Sequence, residues 1–133
     1  MTKFSSFCSE KTMVRIKRVY EEAKKEDGYR VLVDRLWPRG MKKEAARIDL
    51  WMKDVAPSGA LRKSFHHDAM KWPDFLKKYQ AELKKKKECL RELQKLEKEH
   101  GTLTLVFGAR DPEHNQAVVI AEALKKDGNA DAR

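Results

Sequence analysis

The distribution of apolar and polar residues predicts two strands near the amino terminus. Residues 14–20 alternate partly between apolar and basic side chains, which is typical of a strand with one solvated face. Residues 29–33 follow Gly28 and form a largely apolar, β-branched run, which favours a more buried strand. We therefore expect order to begin near Met13, after a flexible leader over residues 1–12.

The next part of the chain predicts a loop, a short strand and a helix. Pro38 cannot donate a ladder hydrogen bond and Gly40 permits a turn, so residues 36–41 should form a loop that becomes helical over 42–47. Residues 48–52 alternate again and predict a short strand. Ser58 is well placed to cap a helix that runs through residues 60–65 and ends near His67.

The second half of the chain is mainly helical in its pattern. Pro73 suits the first turn of a helix, and apolar residues then recur at steps of three and four, which predicts one long helix over about 73–99. Four lysines at 84–87 interrupt this apolar seam, so a bend or a division into two helices is also open. Residues 102–107 predict a strand, and Asp111-Pro112-Glu113 has the form of a helix start.

This order of elements predicts an α/β fold. The segment over 73–99 is long enough to connect two parallel strands. A chain of 133 residues suits one hydrophobic core. We expect a single small domain over residues 13–126, with a short mixed or parallel sheet flanked by helices, and a flexible tail over 127–133.

The composition favours anionic partners. Thirty Lys and Arg residues against 21 Asp and Glu residues give a formal net charge of +9, which attracts nucleotides, phosphorylated metabolites, nucleic acid or acidic proteins. The sequence lacks an apolar run long enough for a membrane span and an amino-terminal signal, so we expect a cytoplasmic protein without a membrane partner. Its two cysteines lack the number and spacing of a disulfide framework or a zinc site.

Three segments qualify as parts of a ligand site, because ligands of open α/β sheets bind beyond the carboxyl ends of the strands. They are Asp34–Arg39, Lys53–Arg62 and Asp111–Asn115. Arginine forks in these segments suit phosphate or carboxylate. The predicted ligand-binding residues are Arg35, Trp37, Arg39, Lys53, Ser58, Arg62 and Asn115. The candidates for proton transfer are Asp34, His67, Asp111 and His114.

Several of these residues have a purely structural alternative. Asp34 and Arg35 could form a salt bridge. Trp37 could belong to the core or to a lid. Ser58 and Asp111 have the chemistry of helix caps, and a functional role for them would be additional.

The histidines and the lysine run also have simple explanations. Adjacent residues on a helix point apart, so His66-His67 favours a polar helix end over a metal site. His100 and His114 stand alone in the sequence, so no metal is expected. The common phosphate-binding glycine loops and the G-x-S-x-G elbow are also absent from the sequence, and no cofactor is expected. Lysines 84–87 are most simply a solvated helix face with neighbouring glutamates as partners.

Four segments carry motifs that can be compared with known families. They are YRVLVDRLWPRG at 29–40, DLWMKDVAPS at 49–58, LRKSFHHD at 61–68, and LTLVFGARD at 103–111 followed by His114-Asn115. Together these motifs resemble the YeaO-like family of uncharacterised bacterial proteins, from Met13 to about Leu124. The resemblance implies a small α/β domain without an established substrate. It also implies a family site in the three segments named above together with His67.

Two classes of function are open at this point. In the first, the basic residues hold a phosphorylated or carboxylated small molecule, and the Asp and His candidates would allow hydrolysis. In the second, an accessory or regulatory protein binds nucleic acid or an acidic partner through its basic surface. Surplus charge around the three segments would favour the first class, and charge along the long helix the second. The sequence leaves open whether the protein is an enzyme, and its oligomeric state.

Overall fold

Four strands and five helices make up the described part of the chain, which comprises residues 12–65 and 68–131 of the computed structural model. The strands are β1 (Met13–Arg18), β2 (Tyr29–Leu32), β3 (Leu50–Trp51) and β4 (Thr102–Phe107). The helices are α1 (Lys43–Ala46), α2 (Gly59–Phe65), α3 (Trp72–Lys84), α4 (Lys87–His100) and α5 (Gln116–Asp131). Short 3-10 turns occur at Lys25–Asp27, Lys53–Val55 and Ala69–Lys71.

The strands form one sheet in the order β1-β4-β2-β3. Strand β4 pairs with β1 along its full length, from Met13 opposite Thr102 to Arg18 opposite Phe107. It pairs on its other side with β2, and β2 pairs with β3. Every pair is parallel, so the sheet is parallel rather than mixed, and the carboxyl ends of all four strands lie along one edge. The predicted α/β fold is confirmed.

Both faces of the sheet are covered. On one face Val31 and Val33 belong to a large core cluster that includes buried side chains from α2, α3, α4 and α5. On the other face Leu32 packs with Val19 and Val106 in a smaller cluster. Side chains of a strand alternate between its two faces, and this explains why β2 is apolar at consecutive positions instead of at every second one.

The prediction of one long helix over 73–99 is wrong, and the alternative of two helices is what forms. Helix α3 ends at Lys84, and the backbone N–H groups of Lys85 and Lys86 donate to carbonyls of its last turn at 3.0 and 2.9 Å. Four consecutive lysines cannot be buried, so the chain turns at the surface there. Helix α4 then returns its own apolar face to the core through Leu90 and Leu93.

The last helix begins later than Asp111-Pro112-Glu113 predicts. The carboxylate of Asp111 accepts hydrogen bonds from the backbone N–H groups of Glu113 and His114 and closes a turn ahead of the helix. Asn115 is the residue that caps α5, because its side-chain oxygen accepts from the N–H of Val118 at 3.2 Å. The helix is therefore capped by Asn115, four residues after Asp111.

Helix α5 continues to Asp131, beyond the predicted domain boundary at residue 126. The predicted leader falls almost wholly on residues 1–11, which lie outside the described residues. Of the helices within the described ranges, none is long and apolar enough to cross a membrane.

Candidate functional site

A cleft of about 560 Å³ lies at the carboxyl ends of β2 and β4. Residues from all three predicted segments line it, so the segments converge as expected for strand ends of a parallel sheet. The predicted site residues in the lining are Asp34, Arg35, Trp37, Arg39, Arg62 and Asn115.

Asp34 forms the polar floor of the cleft. One oxygen of its carboxylate accepts a hydrogen bond of 2.8 Å from the backbone N–H of Gly108, and the other accepts from the side-chain amide of Gln116. Its backbone carbonyl accepts from the indole N–H of Trp51 at 2.7 Å. Asp34 therefore ties the end of β2 to β3, β4 and the start of α5.

The close approach of Gly108 to Asp34 requires a glycine. A Cβ atom at residue 108 would lie 2.8 Å from Oδ2 of Asp34, and real Cβ atoms rarely come so near to a neighbour. The glycine thus gives the carboxylate room to receive the N–H of residue 108. This contact joins the ends of two neighbouring strands directly beneath the cleft.

The pKa of the Asp34 carboxyl is raised above its usual value. Burial raises its pKa to about 6, against the opposing influence of the hydrogen bonds from Gly108 and Gln116 and of the positive charge of Arg62. The floor of the cleft therefore changes from neutral to negative as the pH rises through about 6.

Basic side chains surround this single carboxylate. Arg35, Arg39 and Arg62 are exposed, and the lining also includes Lys63. Within residues 12–65 and 68–131 none of these four side chains forms a salt bridge, and the Asp34–Arg35 pair considered from the sequence is not made. The described lining of the cleft therefore carries a surplus of positive charge.

Aromatic side chains form part of the rim. The hydroxyl of Tyr20 donates to the backbone carbonyl of Arg39 at 2.8 Å, which holds its half-exposed ring beside the cleft. Trp37 combines two roles, since its indole N–H donates to the carbonyl of Met41 at 2.6 Å and its ring meets Trp51 edge to face. Trp37 thus packs in the smaller core cluster and also lines the cleft.

Two predicted binding residues lie outside the lining. The ammonium of Lys53 stands over the Trp51 ring, 4.1 Å from its centroid. Ser58 caps α2 by accepting the N–H of Leu61 at 3.2 Å, as predicted, and its hydroxyl donates to Glu82 at 2.7 Å. Among the described residues, Lys53 and Ser58 therefore hold other parts of the fold and do not line the cleft.

The proton-transfer candidates of the third segment pair with each other. Nδ1 of His114 lies 2.7 Å from Oδ2 of Asp111, and the His114 ring packs edge to face on Trp72. Hydrogen bonds from Glu113 and His114 hold the pKa of Asp111 below its usual value. This pair is absent from the lining of the cleft as the described residues define it. His67, the remaining candidate, lies outside the described residues.

Several lining residues were not predicted from the sequence. Gln116 and Lys63 directly follow predicted residues, and Gly108 directly follows a predicted strand, so adjacency was an available signal. Tyr20 and Phe75 lie far from the three segments in sequence, and no local pattern marks them. Packing alone brings these two rings to the cleft.

The chemistry available in the cleft is limited. Its described lining contains no Ser, Thr, Cys or His side chain. Across residues 12–65 and 68–131 there is no group of three or more His, Cys, Asp or Glu residues that could hold a metal ion. Cys89 lies in a separate depression, and burial raises the pKa of its thiol. Asp34 is the only carboxylate in the described lining.

Comparisons with known proteins agree with the motifs. A family model described as "Inactive DUF488-N3 subclade" matches residues 13–132. The uncharacterised protein YeaO of Escherichia coli (strain K12) is 41% identical over 112 residues, which cover 84% of this chain and 96% of YeaO. The uncharacterised protein Rv3073c of Mycobacterium tuberculosis (strain ATCC 25618 / H37Rv) is 42% identical over 113 residues, which cover 85% and 94%. No solved structure matches the chain significantly. The predicted resemblance is confirmed, and the chain belongs to the YeaO-like proteins and to the family described as the inactive DUF488-N3 subclade.

Proposed function

We propose that this protein binds a small phosphorylated or carboxylated molecule in the cleft. The observation that carries the proposal is the gathering of Arg35, Arg39, Arg62 and Lys63 around one carboxylate, without salt bridges to described residues. Guanidinium groups pair with phosphate or carboxylate through two parallel hydrogen bonds, which gives both affinity and orientation.

The size and lining of the cleft support a ligand with an apolar or aromatic part. A volume of about 560 Å³ lies within the usual range of about 300–1,000 Å³ for small-molecule sites. Phe65 and Phe75 contribute apolar surface, and Tyr20 and Trp37 contribute aromatic surface. The anionic part of the ligand would meet the arginines while its body packs against these rings.

The start of α5 adds to the preference for an anion. Asn115 caps this helix, and Asn115 and Gln116 both line the cleft. The amino-terminal end of a helix carries a partial positive charge. It would reinforce the arginine side chains.

We limit the proposal to binding, although hydrolysis was an open possibility from the sequence. The described lining offers no hydroxyl of Ser or Thr, no thiol and no imidazole for nucleophilic attack. The family description as inactive points the same way. Asp34, with its pKa near 6, serves in this proposal as a charge that adjusts affinity to pH.

A thermal-shift screen followed by calorimetry tests the proposal. Inorganic phosphate, nucleoside monophosphates, sugar phosphates and carboxylic acids are the probes. A ligand at one hundred times its Kd should stabilise the protein by about 2.7 kcal/mol. The double variant Arg35→Ala with Arg39→Ala should fold and lose this effect, whereas Arg91→Ala with Lys95→Ala, an equal charge loss on the exposed side of α4, should keep it.

Either of two results would reject the proposed site. One is the absence of stabilisation by every anion in the screen. The other is a ligand that binds the Arg35 and Arg39 double variant as tightly as the wild type. Release of phosphate from a bound ester by the purified protein would add hydrolysis to the function, and loss of that release in Asp34→Asn would place it in the cleft.

A further inference from the structure

The turn between α3 and α4 forms a second basic feature beside the cleft. It consists of Lys84, Lys85, Lys86 and Lys87, here called the lysine turn. These four residues line a depression of about 530 Å³ together with Arg35, Asp54, Glu88 and Cys89. Five of these eight lining side chains are basic and two are acidic, so the depression has a positive balance.

The charge of the lysine turn is not neutralised within the described ranges. Lys84, Lys85 and Lys87 are exposed, and no lysine of the turn forms a salt bridge with a described residue. The nearby Glu82 instead accepts hydrogen bonds from the N–H and the hydroxyl of Ser58 at 3.0 and 2.7 Å. The expectation that neighbouring glutamates pair with these lysines is not met for Glu82.

The lysine turn and the cleft share a wall. Ala56 and Pro57 line the cleft, and their backbone carbonyls accept hydrogen bonds from Lys86 Nζ at 2.9 Å and from Arg35 Nε at 3.4 Å. Arg35 itself lines both the cleft and the depression. The basic surface therefore continues from the cleft across Arg35 to the lysine turn.

We propose that this continuous surface binds single-stranded nucleic acid, with one nucleotide unit in the cleft and the adjoining phosphodiesters along the lysine turn. The inference rests on the proposed function of the cleft and names its ligand class. In this arrangement Tyr20 and Trp37 contact a base, and Arg35 binds the phosphate between the cleft and the lysine turn. The lysines of the turn bind the phosphates of the nucleic-acid backbone.

A single strand fits this arrangement better than a duplex. Only a strand with an unstacked unit can place that unit inside a concave cleft while its neighbours follow the surface. The lysines lie at a turn between two helices, and none of the described residues that line their depression is aromatic. They therefore offer charge without stacking, as expected for backbone contacts.

The test measures fluorescence anisotropy with a labelled single-stranded oligonucleotide of about eight residues, within the site sizes common for such surfaces. A nucleoside monophosphate, the matching duplex and inorganic phosphate are measured beside it. The turn variant is Lys84→Gln with Lys85→Gln and Lys87→Gln, which leaves Lys86 on the carbonyl of Ala56. The control with the same charge loss is Lys77→Gln with Lys95→Gln and Lys98→Gln, all exposed on α3 and α4.

The turn variant should bind the oligonucleotide at least tenfold more weakly at about 0.1 M salt, with monophosphate affinity changed less than twofold. The plot of the logarithm of the binding constant against the logarithm of the salt concentration has a negative slope, and this slope should become shallower by about 2 in the turn variant. Each lost phosphate contact removes about 0.7 from the slope for a single strand. The control should keep most of the affinity.

Four outcomes would overturn the proposal. They are oligonucleotide binding no tighter than monophosphate binding, full affinity in the turn variant, equal losses in turn variant and control, and duplex binding as tight as single-strand binding. In each case monophosphate or inorganic phosphate binding that depends on Arg35 and Arg39 would leave the function of the cleft standing. Absence of binding by every one of these probes would overturn the nucleic-acid inference, and the function of the cleft would then rest on the sugar phosphates and carboxylic acids of the wider screen.

Discussion

The carboxylate of Asp34 accepts a hydrogen bond of 2.8 Å from the backbone N–H of Gly108. This bond joins the ends of two adjacent parallel strands at the floor of the cleft. A Cβ atom on residue 108 would lie 2.8 Å from Oδ2 of Asp34, closer than real Cβ atoms come to a neighbour. Gly108 and Asp34 therefore fit as a pair, and a change at either residue should alter the stability of the fold.

Replacing Gly108 by alanine should destabilise the protein by about 1–3 kcal/mol. The new Cβ would lie 2.8 Å from Oδ2 of Asp34, so the carboxylate must move and its hydrogen bond to residue 108 is strained or lost. Urea unfolding measures the change. Gly59→Ala is the control, because a Cβ there meets nothing within 4 Å and alanine suits the first turn of a helix. Equal unfolding free energies for the two variants would contradict the role of the contact.

The stability of the protein should depend on pH through Asp34. The folded protein keeps the proton of Asp34 up to a pKa of about 6, whereas the unfolded chain releases it near 3.8. Between these values the folded state binds more protons, so rising pH destabilises it, by up to about 3 kcal/mol for a shift of this size. The loss should begin above about pH 4 and be nearly complete by pH 7.

Asp34→Asn isolates this effect, because an amide at residue 34 does not titrate and still offers an oxygen to the N–H of Gly108. The wild type should lose stability relative to the variant as the pH rises from 4 to 7, in unfolding experiments at several pH values. A difference between the two proteins that stays constant over this range would show that Asp34 titrates normally.

Ser58→Ala should destabilise the protein by about 1–2 kcal/mol. The hydroxyl caps α2 at the N–H of Leu61 and also donates to Glu82 of α3, so alanine removes a cap and leaves a carboxylate with one partner fewer. Ser64→Ala, at an exposed position of the same helix, should change the unfolding free energy by no more than about 0.5 kcal/mol. Similar effects of the two substitutions would argue against the cap.

Asp27→Ala should be among the more damaging single changes, with a loss of about 3–5 kcal/mol. Asp27 is buried and holds Arg30 at 2.6 Å and Lys17 at 3.1 Å, and Arg30 is itself only 3% exposed. Alanine would leave the buried guanidinium without its anion. Asp74→Ala, which breaks an exposed pair with Lys78, should cost about 0.5 kcal/mol or less.

The ionisation of Asp27 supplies a second test of this pair. Burial alone would raise its pKa, but hydrogen bonds from Lys24, Lys17 and Arg30 and the charge of Lys17 bring the pKa below its usual value. Because the pKa of Asp27 is lowered in the folded state, its ionised form stabilises the fold above about pH 3.8. This stabilisation is lost as the pH falls through the pKa of Asp27 in the folded state. Acid unfolding of wild type and Asp27→Asn should therefore differ most above pH 4 and converge at lower pH.

The sequence alone determined the elements whose signals are local. Runs of apolar residues marked β2 and β4, because a strand buried on both faces carries mostly apolar side chains. The buried polar exceptions, Arg30 and Thr104, are hydrogen-bonded. Ser58 marked the start of α2 through a hydrogen bond that spans only three residues. The motifs around Asp34 and Arg35 also indicated the family, since membership depends on the sequence itself.

The tertiary structure decided which residues meet. Local pattern could not choose between one helix and two around the lysine turn, because the choice depends on whether α4 can return to the core. The local pattern also could not show that Lys53 packs on Trp51 whereas Arg62 lines the cleft. Asp34 and Gly108 are 74 positions apart, and only the placement of β4 beside β2 brings them into contact. Sheet order follows from the packing of the whole chain, and no short stretch of sequence encodes it.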